Sequence, residues 1–387
     1  MRIDPYKHKE RYLNWKNKLT EKGIEGVSKP NSDLILRYIN DMEIGINVAN
    51  HNKKGARSYV TLNNVKQRLC FMSNLFESKL KINCMTDLKE ENLFQLFNDM
   101  RNGTIKRVDG TDYLSVVDYI RVFKAFWHWW QKVNKKSNIE IKDITLDLDT
   151  RKDKPKWVYL TEQEVKQLCD GAKYKYRVLF TFLFDSGIRS PTELLNVRVS
   201  DLFNNCKELN IREEASKTFG RRIKLMLCGD LIKEYIQLNK LEQNDVLFDI
   251  SHLVANRYLK RLAGKLFGDN PSPAGAKYSQ MTMYDFRHIS CCYWLPRYKS
   301  ESALKYRFGW KKSDKIHYYS ELLGMKDTIS EDDMLVDLTK TEIEKRLEKS
   351  ENEKFVMGDR LKSLEQEMSE LRRVALELIE HSKVVAR

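Results

Sequence analysis

Long apolar runs are absent from this sequence. No stretch of about 18 residues could cross a bilayer, and the N-terminus has no signal-peptide core. The seven cysteines are odd in number and lack C-x-x-C spacing, and the seven histidines form no ligand clusters. We therefore expect a cytoplasmic protein with reduced thiols, without a metal centre and without a cofactor.

Positive charge is in excess. The 387 residues carry a formal charge of +14, and residues 340–387 contribute none of it, because eleven basic and eleven acidic residues cancel there. Lysine and arginine gain affinity for phosphates by releasing counterions, so nucleic acid is the first candidate partner. A membrane surface is disfavoured, because the basic residues are spread among aromatics instead of forming one juxtamembrane run.

Composition and breaks divide the chain. We predict an N-terminal arm or helix at 1–30, a helical domain at 31–135 and a polar, lysine-rich linker at 136–156. A mixed second domain at 157–330 and a C-terminal helix at 331–387 follow. The apolar steps of the C-terminal helix, alternating between four and three residues, favour a coiled coil that self-associates over a helix docked within the chain.

Helical periodicity dominates the first domain. Apolar residues recur at helical spacing in two stripes, which predict core faces: Leu62, Val65, Leu69, Met72 and Leu80, then Val116, Ile120, Phe123, Trp127 and Trp130. The opposite faces suit either a DNA backbone or solvent; they carry Lys66, Arg68, Lys79, Arg121 and Lys124.

The second domain opens with a capping-box pattern, Thr161 to Glu164. Alternating residues between Lys207 and Leu227 predict a strand pair with Lys217 at or near its tip, and 251–267 predicts a helix. The fold class is therefore mainly α with a small β-hairpin or sheet, α+β.

Four segments of this domain form an ordered set: SGIRSPTELLNVRVSDL, EEASKTFGRRIKL, MYDFRHISCCYW and RFGWKKSDKIHYYSEL. Together they resemble the active site of the tyrosine recombinase, or phage-type integrase, family, which includes archaeal and mobile-element integrases. The resemblance implies a helical core-binding domain and a mixed catalytic domain that clamp duplex DNA. It also implies that the 157–330 region is the catalytic domain.

The resemblance assigns two phosphate clamps, Arg189 and Arg287. Arginine suits this role because its planar guanidinium stays charged and donates paired hydrogen bonds to phosphate oxygens. The family also has a carboxylate that orients the first arginine and begins an amphipathic helix. Glu193 is its counterpart, although it follows Arg189 by four residues where three are expected.

Lys217 matches the hairpin lysine that protonates the departing 5′ oxygen, a role suited to a mobile ammonium. With Arg221, Arg222 and Lys224 nearby, the choice of lysine stays open. The second box has Tyr284 where the family has histidine, and a phenol can donate a hydrogen bond but is a poor base at neutral pH. His288 is expected to be a hydrogen-bonded support.

Trp310 follows Gly309 where the family has histidine or tryptophan, and its indole N–H could donate to a phosphate oxygen. The family spacing of nine residues then reaches Tyr319, the expected nucleophile. Tyr318 misses this register by one residue, which on a helix turns a side chain by about 100°.

The implied activity is site-specific recombination of double-stranded DNA. Tyr319 would form a 3′-phosphotyrosyl bond without metal or ATP, and a homotetramer would exchange strands between two duplexes through a Holliday junction. A prokaryotic, viral or plasmid-borne source and a nucleoid location go with this prediction. Two alternatives remain: a topoisomerase-like enzyme that nicks and reseals one duplex, and a DNA-binding protein whose Tyr284 substitution has abolished cleavage.

Overall fold

A computed structural model describes residues 3–47, 55–113, 115–151, 155–298, 300–322 and 368. Residues 3–322 belong to one compact unit that contains two hydrophobic cores. No helix in these described ranges is long and apolar enough to cross a membrane. The predicted coiled coil, 331–387, lies outside the described residues apart from Met368.

Five α-helices of the described residues surround the first core. They are α1 His8–Asn17, α2 Lys29–Ile44, α3 Tyr59–Leu75, α4 Glu90–Arg101 and α5 Val116–Lys135. Both predicted apolar stripes face this core: eight of their ten residues are buried, and Leu80 and Trp130 pack against it half-buried. The prediction that these stripes are core is confirmed.

The chain after α5 turns back along that helix. One face of α5 supplies a row of side-chain hydrogen bonds to 141–150: Arg121 to Thr150 O at 3.2 Å, Lys124 to Thr145 O at 2.9 Å, Trp127 to Lys142 O at 3.0 Å, His128 to Asp143 Oδ2 at 3.0 Å and Gln131 to Ile141 O at 2.9 Å. Two cations considered for DNA contact, Arg121 and Lys124, are thereby tied to this segment.

This attachment predicts where a protease can enter. A protease needs an extended backbone, and side chains of α5 hold several of the carbonyls between residues 141 and 150. We expect trypsin to cut after Arg151 or Lys156 before Lys142, although the Lys142 side chain is exposed. Mass spectrometry of early fragments measures this order. First cleavage at Lys142 would contradict it, and two stable fragments would support the proposed domain boundary.

The first described residues bridge the two halves of the compact unit. The backbone N–H of Ile3 donates to Asn196 Oδ1 at 2.6 Å, and Asn196 Nδ2 donates to Ile3 O at 2.9 Å. Tyr6 also lies edge-on to His252, with the ring centroids 5.5 Å apart. The N-terminal segment therefore contacts the part of the chain that carries the predicted catalytic residues.

Within the described ranges, seven α-helices and a sheet surround the second core. The helices are α6 Glu162–Asp170, α7 Tyr174–Ser186, α8 Gly229–Leu238, α9 His252–Phe267, α10 Asp285–Trp294, α11 Glu301–Phe308 and α12 Asp314–Leu322. The capping box is confirmed, because Thr161 and Glu164 bond each other's backbone N–H groups. The predicted helix at 251–267 is α9.

The sheet is antiparallel in the order β1 Leu202–Phe203, β2 Glu208–Ile211 and β3 Arg221–Lys224. The predicted strand pair is β2 and β3, whose register pairs Ile211 with Arg221. Residues 212–220 connect these strands and contain Lys217. Because strand side chains alternate, Arg221 and Ile223 point into the core while Arg222 and Lys224 face out.

One expected element is different. The amphipathic helix implied after Arg189 is reduced to a turn and a three-residue 3-10 helix, Leu194–Asn196. Val197 and Arg198 are extended, and Val197 O accepts the Leu247 N–H at 2.8 Å. A second short 3-10 helix, Val199–Asp201, follows, and its Val199 N–H donates to Asp245 O at 3.1 Å. These tertiary hydrogen bonds compete with helix propagation and end it.

Candidate active site

Arg189 follows a tight turn at the end of α7. The turn residue Gly187 has a φ of 60°, and a Cβ there would lie 2.4 Å from the Phe308 ring. This close approach requires glycine. Arg189 Nη1 donates to Glu193 Oε1 at 2.7 Å, and its backbone N–H donates to Glu193 Oε2 at 2.9 Å. Glu193 therefore fixes both the turn and the guanidinium, despite its longer spacing.

Glu193 is fully buried between two arginines. Arg221 Nη2 donates to Glu193 Oε2 at 2.9 Å, Arg221 Nη1 donates to Oε1 at 3.2 Å, and both side chains have no exposed surface. Burial by itself would raise the pKa of the Glu193 carboxyl, but the hydrogen bonds and charge of Arg221, and then the charge of Arg189, lower it to about 2. Glu193 is therefore ionised at neutral pH.

Three arginine guanidiniums donate hydrogen bonds to the C-terminus of α11. Three consecutive carbonyls in the 307–310 turn each accept from a different arginine: Arg307 O from Arg221 Nε at 2.8 Å, Phe308 O from Arg287 Nη2, and Gly309 O from Arg189 Nη2 at 3.1 Å. Unsatisfied carbonyls at a helix C-terminus carry partial negative charge and attract cations. The turn therefore brings Arg189 and Arg287 to adjacent peptides, directly before Trp310.

Arg287 lies deeper than Arg189. It is 4% exposed, and its Nη1 donates to Gly187 O at 2.7 Å. Burial, and then the positive charge of Arg189, lowers the pKa of Arg287 to about 10, so the guanidinium is still charged at neutral pH. Its hydrogen bonds within the described residues use two of its five N–H donors.

Tyr319 on α12 faces this cluster. Its ring is stacked parallel to Trp310 at 5.9 Å, its hydroxyl is hydrogen-bonded to His288 Nδ1, and it is 2% exposed. Burial raises the pKa of the Tyr319 phenol above its usual value. A phenol with a raised pKa remains protonated at neutral pH, so nucleophilic attack would require a proton acceptor.

Tyr318 points elsewhere. Its hydroxyl accepts from Trp157 Nε1 at 2.7 Å and donates to Pro155 O at 3.0 Å. The rings of Tyr318 and Tyr319 are nearly perpendicular, at 71°. Only Tyr319 of this pair therefore stacks on Trp310 and bonds His288.

Tyr284 and His288 form the outer edge of the site. The His288 ring is stacked on Trp157 at 4.8 Å and lies edge-on to Tyr284 at 5.3 Å. Tyr284 is 46% exposed. His288 thus lies between Tyr284 and Tyr319, held in place by an aromatic face and a hydrogen bond.

Lys217 is exposed, and the described part of the chain offers it no ion-pair or hydrogen-bond partner. It is linked to the cluster through its neighbour, because Thr218 Oγ1 donates to Gly309 O at 2.9 Å. The eight predicted site residues therefore fall into three groups: an inner set of the buried Glu193, Arg287 and Tyr319 with the half-buried Arg189 and Trp310, an outer pair of Tyr284 and His288, and Lys217 on its loop. No group of three potential metal ligands occurs within the described ranges.

No protein-family model matches the chain, and no curated protein matches it. Solved structures do. The Tn1549 transposon integrase in complex with circular intermediate DNA aligns with a TM-score of 0.55 at 16% identity, covering 77% of this chain and all of that one. A lambda integrase dimer bound to a core site aligns with a TM-score of 0.53 at 14% identity, covering 77% of this chain and 79% of that one. A lambda integrase tetramer bound to a Holliday junction aligns with a TM-score of 0.53 at 12% identity, covering 80% of each chain.

The chain has the tyrosine recombinase fold. The α+β class expected from the sequence is therefore confirmed. Within this tyrosine recombinase fold, several residues of the site were not anticipated. Arg221, noted only as a neighbour of Lys217, neutralises Glu193, and Trp157 supports both His288 and Tyr318.

A second buried ion pair was also missed. Arg307 Nη2 donates to Asp185 O and Oδ1, and Arg307 Nη1 donates to Lys224 O at 2.9 Å, so Arg307 connects α7, α11 and β3. For Arg221 a signal existed: it is two residues before Ile223, hence on the inward face of a strand. For Arg307 and Trp157 the sequence offers no comparable signal.

Proposed function

We propose that this protein is a site-specific DNA recombinase or integrase that acts through Tyr319. The observation that carries the proposal is the convergence of Arg189, Arg287, Trp310 and Tyr319 around the 307–310 turn. These residues come from separate segments of the sequence, and two guanidiniums beside a phenol supply the charge and the nucleophile for phosphoryl transfer. The fold and the formal charge of +14 agree with a DNA substrate.

In the proposed reaction, the Tyr319 oxygen attacks the scissile phosphorus and the bond to the 5′ oxygen breaks. Arg189 and Arg287 stabilise the negative charge that develops on the nonbridging oxygens. Lys217 gives a proton to the departing 5′ oxygen, while the phenol loses its proton to an acceptor such as His288. The products are a 3′-phosphotyrosyl ester and a free 5′ hydroxyl.

The reverse reaction would join strands. A 5′ hydroxyl from a second duplex attacks the phosphotyrosyl ester, Tyr319 leaves, and the phosphodiester is restored with its bond energy conserved. Exchange of both strand pairs involves two duplexes, a Holliday junction and a homotetramer. The lambda integrase tetramer bound to a Holliday junction has the same fold and supports this arrangement.

Two features define what must change before cleavage. Tyr319 is buried, and two donors of Arg287 are occupied by the carbonyls of Gly187 and Phe308. A phosphate must therefore be bound by the Arg287 donors that these carbonyls leave, and the buried Tyr319 hydroxyl must become accessible to the phosphorus. The same two features favour a second candidate, a protein that binds DNA on this scaffold without cleaving it.

A covalent trap distinguishes these candidates. The full chain is incubated in chelator with a library of nicked duplexes with randomised cores, so that the short strand released by cleavage diffuses away. We expect a denaturant-resistant protein–DNA adduct in which the DNA resists 3′ exonuclease, the released strand carries a 5′ hydroxyl, and peptide mapping assigns the link to Tyr319. Binding without any adduct would overturn the enzymatic proposal in favour of the binding protein.

A further inference from the structure

The residues on both sides of Lys217 are anchored to Glu193 and to the 307–310 turn. Ser216 Oγ donates to Glu193 Oε1 at 3.3 Å, and Thr218 Oγ1 donates to Gly309 O at 2.9 Å. The Thr218 N–H also donates to Ser216 Oγ at 3.2 Å, which links the two anchors across Lys217. Lys217 itself is exposed between them.

The Thr218 anchor is shared with a predicted phosphate clamp. The Gly309 carbonyl accepts from both Thr218 Oγ1 and Arg189 Nη2, and it directly precedes Trp310. Gly309 has a φ of 60°, and a Cβ there would lie 2.9 Å from Arg221 Nη1 and 3.1 Å from Thr218 Oγ1. The loop and the turn can approach this closely only because the turn residue is glycine.

The end of the loop is fixed by the same cluster. Arg221 begins β3 and bonds both oxygens of Glu193 and the carbonyl of Arg307. Ser216, Thr218 and Arg221 thus attach the loop to the carboxylate that orients Arg189 and to the turn that holds Arg189 and Arg287. None of these attachments uses the side chain of Lys217.

We propose that Ser216 and Thr218 are positioning residues for Lys217. Because the backbone is held on either side, only the side-chain torsions of Lys217 have to be ordered when its ammonium group approaches the leaving oxygen. This reduces the conformational entropy lost in that step. Because Thr218 and Arg189 both donate to the Gly309 carbonyl, the backbone of Lys217 keeps a fixed position relative to the Arg189 guanidinium. This inference rests on the proposed function, in which Lys217 protonates the 5′ oxygen.

The test compares Thr218→Val, which keeps the shape but removes the hydroxyl, with Thr218→Ser, which keeps the hydroxyl. The DNA is the duplex recovered from the covalent trap, made with either oxygen or sulfur at the scissile 5′ position. A thiolate leaves without a proton donor, because thiols are far stronger acids than alcohols. Sulfur should therefore bypass a defect that acts through Lys217.

On the oxygen substrate we expect Thr218→Val to cleave about tenfold more slowly than wild type, the scale of one lost hydrogen bond, and Thr218→Ser to cleave at nearly the wild-type rate. On the sulfur substrate all three proteins should cleave at similar rates. Equal slowing of Thr218→Val on both substrates would overturn the proposal, because the hydroxyl would then act on the clamp or the nucleophile. Unchanged cleavage on the oxygen substrate would also overturn it.

A second measurement does not depend on cleavage. Hydrogen exchange of the full chain should be faster in the peptide covering 213–220 for Thr218→Val than for Thr218→Ser. Equal exchange would overturn the anchoring itself. If wild type formed no adduct on any duplex, the proposed function would fail and the acid role of Lys217 with it, whatever the exchange result.

Discussion

Tyr319→Phe is expected to abolish the covalent protein–DNA adduct completely, while Tyr318→Phe retains it. Phenylalanine keeps the ring that stacks on Trp310 and removes only the hydroxyl bound to His288. A covalent nucleophile cannot be replaced by a neighbouring group that points away. The adduct is quantified on denaturing gels with the trapped duplex, and DNA affinity is measured in parallel by fluorescence anisotropy.

Tyr318→Phe is the matched control, because it removes the same atom from the adjacent residue. The Tyr318 hydroxyl bonds Trp157 Nε1 and Pro155 O, so its loss should cost about 1–3 kcal/mol of stability with little effect on cleavage below the unfolding temperature. DNA affinity should be close to wild type for both variants. An adduct formed by Tyr319→Phe and lost in Tyr318→Phe would reverse the assignment of the nucleophile.

The elements that the sequence predicted well are those whose signals are local. Helical periodicity identified the stripes of α3 and α5, and strand alternation identified the β2–β3 pair. The spacing from Thr161 to Glu164 identified the start of α6. In each case residues within one or two turns decide the structure, so the pattern is visible without knowing the tertiary fold.

The interactions that the sequence could not reveal join distant residues or use backbone acceptors. Glu193 and Arg221 are 28 positions apart, and Trp157 and Tyr318 are 161 apart, so no spacing connects them. Carbonyl acceptors have no side-chain signature at all. For this reason neither the collection of arginines at the end of α11 nor the attachment of 141–150 to α5 could be predicted.

The missing helix after Arg189 has a similar cause. Its sequence, PTELLNV, has helical character, but the backbone hydrogen bonds of Val197 and Val199 with Leu247 and Asp245 outweigh that preference. The result matters for the site, because a turn at this point lets Glu193 bond both the backbone and the side chain of Arg189. Tertiary contacts thus determine how the carboxylate reaches its arginine across four residues.

Glu193→Gln is expected to destabilise the protein by about 3–5 kcal/mol at pH 7, the scale measured when one partner of a buried ion pair is removed. Arg221 would be left as a buried cation without a counter-ion, and the glutamine amide would direct its own N–H groups toward a guanidinium. Urea unfolding followed by tryptophan fluorescence measures the change. Glutamine has nearly the same shape as glutamate and so keeps the packing. The loss of stability therefore measures the contribution of the charge and its hydrogen bonds.

The pH dependence supplies a further result from the same variant. The pKa of Glu193 is about 2 in the folded protein, compared with about 4.3 in an unfolded chain. Since the folded pKa is the lower one, the ionised carboxylate stabilises the fold above about pH 4.3, and this contribution is lost as the pH falls toward 2. It amounts to about 3 kcal/mol, so the gap between wild type and Glu193→Gln should narrow between pH 5 and pH 3.

Glu208→Gln is the matched control for this effect. Glu208 forms an ion pair with Arg222 on the outer face of the same sheet, at 2.6 Å and with both side chains partly exposed. Solvent screens such a pair, so the same substitution should change the stability by less than about 1 kcal/mol. Equal losses of stability in the two variants would show that the Glu193 carboxylate does not stabilise the fold by neutralising the buried arginines. A stability difference between wild type and Glu193→Gln that stays constant as the pH falls would show the same. The anchor proposed for Ser216 would then lose its electrostatic basis as well.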